Sequence, residues 1–247
     1  MLILPSQVLS AAALATATAG FGDRARRVHA SIYDMRRNGA IGVLGAAVLI
    51  GGLLGAPTGL PRAAAEPCPQ TEVVFARGSG EPVGAGGVGQ ALIDALRARV
   101  PDQSIELYPV NYPATHDYRT SAEAGAGDAT AHVQSTIAAC PQTKIVLGGY
   151  SQGAMVTELT SERLPADAAA HIAAVTLFGT PTSSYAVDNW GGPVPVLAEA
   201  YRADSIDFCL PDDIVCAEGG NMLAHLGYAD SPMPQEAAEF VADRIAG

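Results

Sequence analysis

Charge is scarce in this chain, and positive charge scarcest of all. Only 16% of the 247 residues are Asp, Glu, Lys or Arg. From Glu66 onward, 8 basic residues face 23 acidic ones. Such a surface repels phosphate backbones, which excludes a nucleic-acid partner, and charge alone would not draw it to anionic lipid head groups. No C-x-x-C pair and no suitably spaced histidines accompany the cysteines, so zinc is not expected. A Gly-Lys-Ser/Thr ending for a phosphate loop is missing too, and neither metal nor organic cofactor is anticipated. Repeats and long low-complexity tracts are absent after Glu66. What is abundant is apolar material, at 49%, ample for one core and inconsistent with disorder.

The first quarter of the chain differs from the rest. Arg36 and Arg37 precede the apolar run Ile41–Ala56, followed by Pro57, Pro61 and Ala63-Ala64-Ala65. A positive region, an apolar region and a small-residue exit describe a secretory signal peptide, with cleavage expected near Ala65. Met35 stands directly before the arginine pair, which marks it as the expected biological start. Residues 1–65 are thus read as an N-terminal extension and signal peptide, and residues 66–247 as the mature domain. The competing reading is a retained anchor, because Ile41–Leu60 approaches the ~20 residues that span a bilayer. The expected location is outside the cell or at its envelope.

All four cysteines, Cys68, Cys140, Cys209 and Cys216, follow the cleavage point. An even count in an exported domain reads as two disulfides, with three pairings formally open. Cys209 and Cys216 are close enough to clip one short loop, which leaves Cys68 with Cys140.

Short apolar runs alternate with amphipathic stretches. Strands are expected at Thr71–Ala76, Ile105–Val110, Lys144–Gly149, His171–Phe178 and Ser205–Phe208. Helices are expected at Val88–Val100, Ser121–Ala139, Gln152–Leu164 and Gln235–Ile245. The alternation implies an α/β fold: a three-layer α/β/α sandwich around a mostly parallel five-stranded sheet. In such sheets, reactive groups gather at the carboxyl ends of the strands.

Gly149-Tyr150-Ser151-Gln152-Gly153 carries the strongest chemical signal. It sits between a strand and a helix, the context a nucleophile elbow requires. The bland alternative is a tight turn with a capping serine. A nucleophilic serine needs a base, and the base an orienting acid; in this fold they follow in the order Ser, Asp/Glu, His. His29, His116 and His132 precede Ser151. His171 opens a strand after a polar linker, which leaves His225 as the base. Asp212 and Asp213 lie in the loop bounded by Cys209 and Cys216, with Asp204 and Asp207 as alternatives. Order alone does not choose between Asp212 and Asp213.

Together these segments resemble the cutinase family, in particular cutinase-like proteins of mycobacteria and related actinobacteria. The likeness covers Cys68–Gly247. It rests on Phe75-Ala-Arg-Gly-Ser-Gly-Glu81, the elbow, Cys209-Leu-Pro-Asp-Asp-Ile-Val-Cys216, and Ala224-His225-Leu226 followed by Tyr228. The family's Cys-x-x-x-Asp-x-x-Cys spacing selects Asp213. The resemblance also implies an oxyanion hole from the backbone N–H groups of Gln152 and Ser79, with the Ser79 hydroxyl as a further donor. It implies a serine esterase acting on carboxylic esters, lipids or polyesters; the secreted chain is expected to be a monomer with transient contact to cell-envelope lipid. The segment Phe178–Gly192 departs from plant-pathogen cutinases, so cutin itself is not implied.

Other readings compete. Gly84-Ala-Gly-Gly-Val-Gly89 matches the dinucleotide G-x-G-x-x-G pattern. The preceding strand ends near Ala76, too early to cradle a pyrophosphate, and export with disulfides speaks against a nicotinamide enzyme. A flexible loop is the simpler expectation there. A catalytically silent lipid-binding protein of the same fold would have no need of the full Ser151, Asp213, His225 set. An acyltransferase would use that set unchanged.

Overall fold

The computed structural model describes residues 67–246. The expected leader (residues 1–65, with its Met35 start and Ala65 exit, or the retained anchor in its place) lies outside the described residues, as does His29.

Five strands build the sheet: β1 (Thr71–Ala76), β2 (Ile105–Pro109), β3 (Lys144–Tyr150), β4 (Ile172–Phe178) and β5 (Ser205–Phe208). All neighbours run parallel, in the order β2-β1-β3-β4-β5. Among the described residues six α-helices accompany them: α1 (Gly86–Arg99), α2 (Tyr118–Ala139), α3 (Gln152–Arg163), α4 (Ser184–Trp190), α5 (Met222–His225) and α6 (Met233–Ile245). Every residue of β1 is buried, as a parallel strand covered on both faces must be. Val73 and Phe75 pack with Leu92, Ile93 and Val241 of α1 and α6. Val74 and Ala76 point the other way, to Ala126, Val133 and Val156 of α2 and α3. Alternation along one strand therefore creates both halves of the core, and the three-layer α/β/α sandwich is the fold the chain adopts.

Differences from the expected boundaries are small and have local causes. α1 starts two residues early because Gly86 and Gly87 join its first turn, so the glycine run is largely helical and not a loop. His171 closes a 3-10 turn, Ala166–His171, and β4 begins after it. Helices α4 and α5 are too short for a periodic signal, and neither was expected.

The cysteines pair as Cys68–Cys140 and Cys209–Cys216. The first closes a loop with a sequence separation of 72, for which chain entropy gives about 4 kcal/mol of stabilisation. The second clips the loop that follows β5.

One buried acid works against stability. Glu158 on α3 is 5% exposed, and its Oε2 has no hydrogen-bond partner among the described residues. Burial, aided by the nearby charges of Asp207 and Glu162, pushes its pKa up from 4.5 to about 9. Folded protein therefore keeps this proton while unfolded chain releases it. Stability falls as pH rises between those two values, by about 1.4 kcal/mol per pH unit for a single group. Glu158→Gln is expected to raise the thermal midpoint, by more at pH 8 than at pH 5. A gain of equal size at both pH values would show that Glu158 is ionised in the fold.

Candidate active site

The strand order places the topological switch between β1 and β3, where one crossover leads away to β2 and the other to β4. Loops leaving the carboxyl ends of these two strands part there and open a crevice. The loop after β1 carries Ser79; the turn after β3 carries Ser151.

Ser151 occupies a sharp turn with φ 56° and ψ −119°. For a residue with a Cβ, such a conformation costs on the order of 1–3 kcal/mol. The flanking glycines explain how the turn closes. A Cβ on Gly153 would overlap the Ala76 carbonyl, and one on Gly149 would overlap the Gly153 carbonyl. The Ser151 N–H donates to the Phe178 carbonyl at 2.9 Å, tying the turn to β4. Its hydroxyl caps no helix N–H. Instead, Ser151 Oγ lies 2.8 Å from His225 Nε2.

His225 ends α5, whose start is capped by Asn221 Oδ1 accepting from the Ala224 N–H. Its ring is 4% exposed and stacks on Tyr150. The Tyr150 hydroxyl donates to the His225 carbonyl at 2.6 Å. His225 Nδ1 lies 2.8 Å from Asp213 Oδ2. Asp213 is fully buried, whereas Asp212 is exposed, at φ 63°, with its carbonyl accepting from the Asn221 N–H. Three donors converge on the Asp213 carboxylate: His225 Nδ1 and the Tyr228 hydroxyl at Oδ2, and the Val215 N–H at Oδ1. Burial alone would raise its pKa, but those donors override burial and hold it below the usual carboxylate range. The Cys209–Cys216 bridge closes the loop that presents it.

Gln152 opens α3, where the first N–H groups have no helical acceptor and face the crevice with the positive end of the helix. Its side chain is 1% exposed. Gln152 Nε2 donates to the carbonyls of Thr115 at 2.9 Å and Tyr118 at 3.2 Å, fixing the loop before α2. Ser79 lines the same crevice, and its Oγ is buried without a partner among the described residues. The cavity measures about 490 Å³. Met155, Tyr185, Trp190, Val215 and Leu226 make its walls largely apolar. Chemically, this is a hydroxyl beside an imidazole acceptor, an anion behind the imidazole, and spare N–H groups near the hydroxyl. Among the described residues, no group of three or more His, Cys, Asp or Glu is arranged to hold a metal ion.

The remaining sequence candidates lie elsewhere in the network or outside it. His132 is bonded to Glu72, and Asp207 accepts from Thr180. Asp204 pairs with Arg244. His116 lines the cavity but is exposed. Two side-chain contacts went beyond what the motifs containing Tyr228 and Gln152 implied. The Tyr228 hydroxyl bonds Asp213 from three residues beyond His225, and the Gln152 amide bonds a loop more than 30 residues away. Neither depends on a spacing that could be read along the chain.

Comparison with known proteins adds a family. The Cutinase family model matches residues 67–245. A carboxylesterase of Mycobacterium tuberculosis, Culp1, is 47% identical over 206 residues, covering 83% of this chain and 94% of that protein. A phospholipase of the same organism, Culp4, is 43% identical over 188 residues, covering 72% and 80%. Among solved structures, a Trichoderma reesei cutinase in complex with a phosphonate inhibitor superposes with a TM-score of 0.58 at 31% identity, covering 73% of this chain and 78% of that one.

Proposed function

This chain belongs to the cutinase family and is a carboxylic ester hydrolase, and on that premise we propose that Ser151, His225 and Asp213 form its catalytic triad. The observation that carries this reading is the unbroken relay at the foot of the cleft. Ser151 Oγ, the two ring nitrogens of His225 and Asp213 Oδ2 are linked by two contacts of 2.8 Å.

In the reaction, Ser151 Oγ attacks the ester carbonyl while its proton moves to His225 Nε2. Asp213 keeps the other imidazole proton on Nδ1 and stabilises the imidazolium. Negative charge developing on the carbonyl oxygen is met by the N–H groups of Gln152 and Ser79, with the free Ser79 hydroxyl as a third donor. His225 then protonates the departing alcohol. Water enters and attacks the acyl carbonyl while losing a proton to His225; the bond to Ser151 Oγ then breaks, the acid departs, and His225 returns the proton to Ser151.

The substrates are esters with short- to medium-chain acyl groups, or lipids and polyesters bearing them. A largely apolar cleft of this volume suits such chains. The enzyme acts outside the cell or at its envelope as a monomer, after removal of the leader near Ala65, with residues 66–247 as the catalytic domain. Contact with envelope lipid is transient, and nucleic acid is no partner.

A p-nitrophenyl ester series from acetate to palmitate tests the reading, together with fluorophosphonate labelling. Turnover is expected to peak at short to medium chains, and the label to map to Ser151. If folded, oxidised protein neither turned over any ester nor took the label, the proposal would fail. N-terminal sequencing of exported protein checks the leader: a start well upstream of Glu66 would show that it is retained.

A further inference from the structure

Beside Ser79 sits an acid that the reaction does not use. Glu81 lines the cleft, where its negative charge opposes the oxyanion that the proposed reaction must stabilise. Its location is accounted for by what its two oxygens hold. Oε2 accepts the Gly78 N–H at 2.6 Å, and Oε1 accepts the Gly87 N–H at 2.8 Å. One carboxylate thus joins the turn after β1 to the first turn of α1, whose N-cap residue, Ala85, supplies no side-chain bond.

The glycines around it form a cradle. A Cβ on Gly86, which has φ 71°, would overlap the carboxylate. A Cβ on Gly78 would come within 3.3 Å of Oε2, besides striking the Tyr150 ring at 2.8 Å. This accounts for part of the run Gly84–Gly89 without a dinucleotide: Gly86 leaves room for an internal carboxylate, and Gly87 supplies a donor to it.

Ser79 lies within the four-residue turn that Glu81 ends. The Glu81 N–H approaches the Gly78 carbonyl at 3.4 Å, and the Gly80 N–H donates to Ala114 at 2.8 Å. Buried Arg77 grips the same turn from below. Its Nε donates to the Glu81 carbonyl at 2.9 Å, and Nη2 donates to the Tyr112 carbonyl at 2.9 Å. The residue before Ser79 and the residue two beyond it are thus both anchored, through one side chain and one guanidinium. The carboxylate also ties the turn to α1.

We propose that Glu81 is a positioning residue: seated among Gly78, Gly86 and Gly87, its carboxylate sets where the Ser79 N–H meets the ester oxyanion. The inference rests on the reading of Ser79 as an oxyanion donor. The competing role is purely structural, with Glu81 serving only to cap α1.

Glu81→Ala, Glu81→Gln and Gly86→Ala separate the two. Four quantities are measured on the full chain: kcat and KM for p-nitrophenyl butyrate, the affinity for an alkyl trifluoromethyl ketone, and the thermal midpoint. The ketone adds the serine hydroxyl to form a tetrahedral adduct whose oxygen occupies the oxyanion position. Displacing a donor without deleting it is expected to lower kcat about 10- to 100-fold in Glu81→Ala. KM should stay within about twofold, and ketone affinity should fall in parallel with kcat. Glu81→Gln, which keeps one acceptor oxygen, should fall between. Gly86→Ala should lower kcat alone but add nothing in the Glu81→Ala background, as coupled residues do. A lower thermal midpoint with unchanged kcat and ketone affinity would leave Glu81 as a cap and overturn the proposal. Should Glu81→Ala not fold, the other two variants carry the same comparison. Wild-type enzyme that ignored the ketone would bring down the oxyanion reading and this inference with it. Ketone binding that was tight and equal in all variants would bring down the inference alone.

Discussion

Ser151→Ala is expected to lower kcat by on the order of 10⁵–10⁶, with substrate affinity nearly unchanged. Alanine keeps the Cβ, so the turn at φ 56° and its hydrogen bond to Phe178 are preserved. What disappears is the hydroxyl oxygen 2.8 Å from His225 Nε2, the proposed attacking atom. Residual turnover would come from water activated by His225 beside the intact N–H donors, at roughly 10³–10⁴ above the uncatalysed rate. A companion variant separates chemistry from backbone strain. Ser151→Gly should be as inactive as Ser151→Ala yet more stable, because glycine adopts a positive φ without the steric cost. Loss of less than about tenfold in Ser151→Ala would mean that another group attacks the ester.

Asp213→Asn is expected to lower kcat by about 10⁴ with little change in KM, the loss typical when the base is held in the wrong tautomer. The three donors around Asp213 explain why the amide cannot be accommodated harmlessly. If its nitrogen took the Oδ1 position, it would face the Val215 N–H, a backbone donor that cannot reverse its role. In the Oδ2 position it faces His225 Nδ1 and the Tyr228 hydroxyl. Both of these can adapt. The imidazole can move its proton to Nε2, and the hydroxyl can turn toward Cys216 Sγ at 3.4 Å while still accepting from the Leu210 N–H. The second orientation therefore wins, and it leaves Nε2 protonated and unable to take the serine proton. Steady-state kinetics checks the rate. The proton of the folded variant, observed by NMR on Nε2 instead of Nδ1, would identify the cause. Near wild-type kcat would show that Asp213 orients nothing. Tyr228→Phe removes one donor and leaves the tautomer alone, so its effect should be far smaller.

The disulfides and the two predicted effects share a structural logic. Asp213 belongs to no regular element, and its loop is closed by Cys209–Cys216. His225 stands on a single helical turn. Only Ser151 is seated between a buried strand and a twelve-residue helix. Rigid elements position the proposed nucleophile, while a covalent clip and a dense hydrogen-bond set position its proposed partners.

That division also marks what could be read along the chain. Apolar runs with the right period determined the five strands and the four longer helices, because a strand buried on both faces and an amphipathic helix each leave a local, repeating pattern. G-x-S-x-G was legible for the same kind of reason: neighbouring residues in one turn dictate which positions lack room for a Cβ. The cysteine count and spacing implied the two bridges. Helices α4 and α5 escaped notice, being shorter than the pattern that would announce them. The convergence of side chains was decided by tertiary structure alone. Tyr228 reaches Asp213 because the chain between β5 and α6 folds back on itself, and Glu81 reaches Gly87 because its loop bends back onto α1. Asp212 and Asp213 are equivalent in composition and nearly so in position, yet one is exposed and the other receives three donors. Local sequence sets backbone conformation through short-range sterics and periodic burial. Which polar atoms meet depends on where separate loops come to rest, and that is settled only when the sheet and its two helical layers are packed.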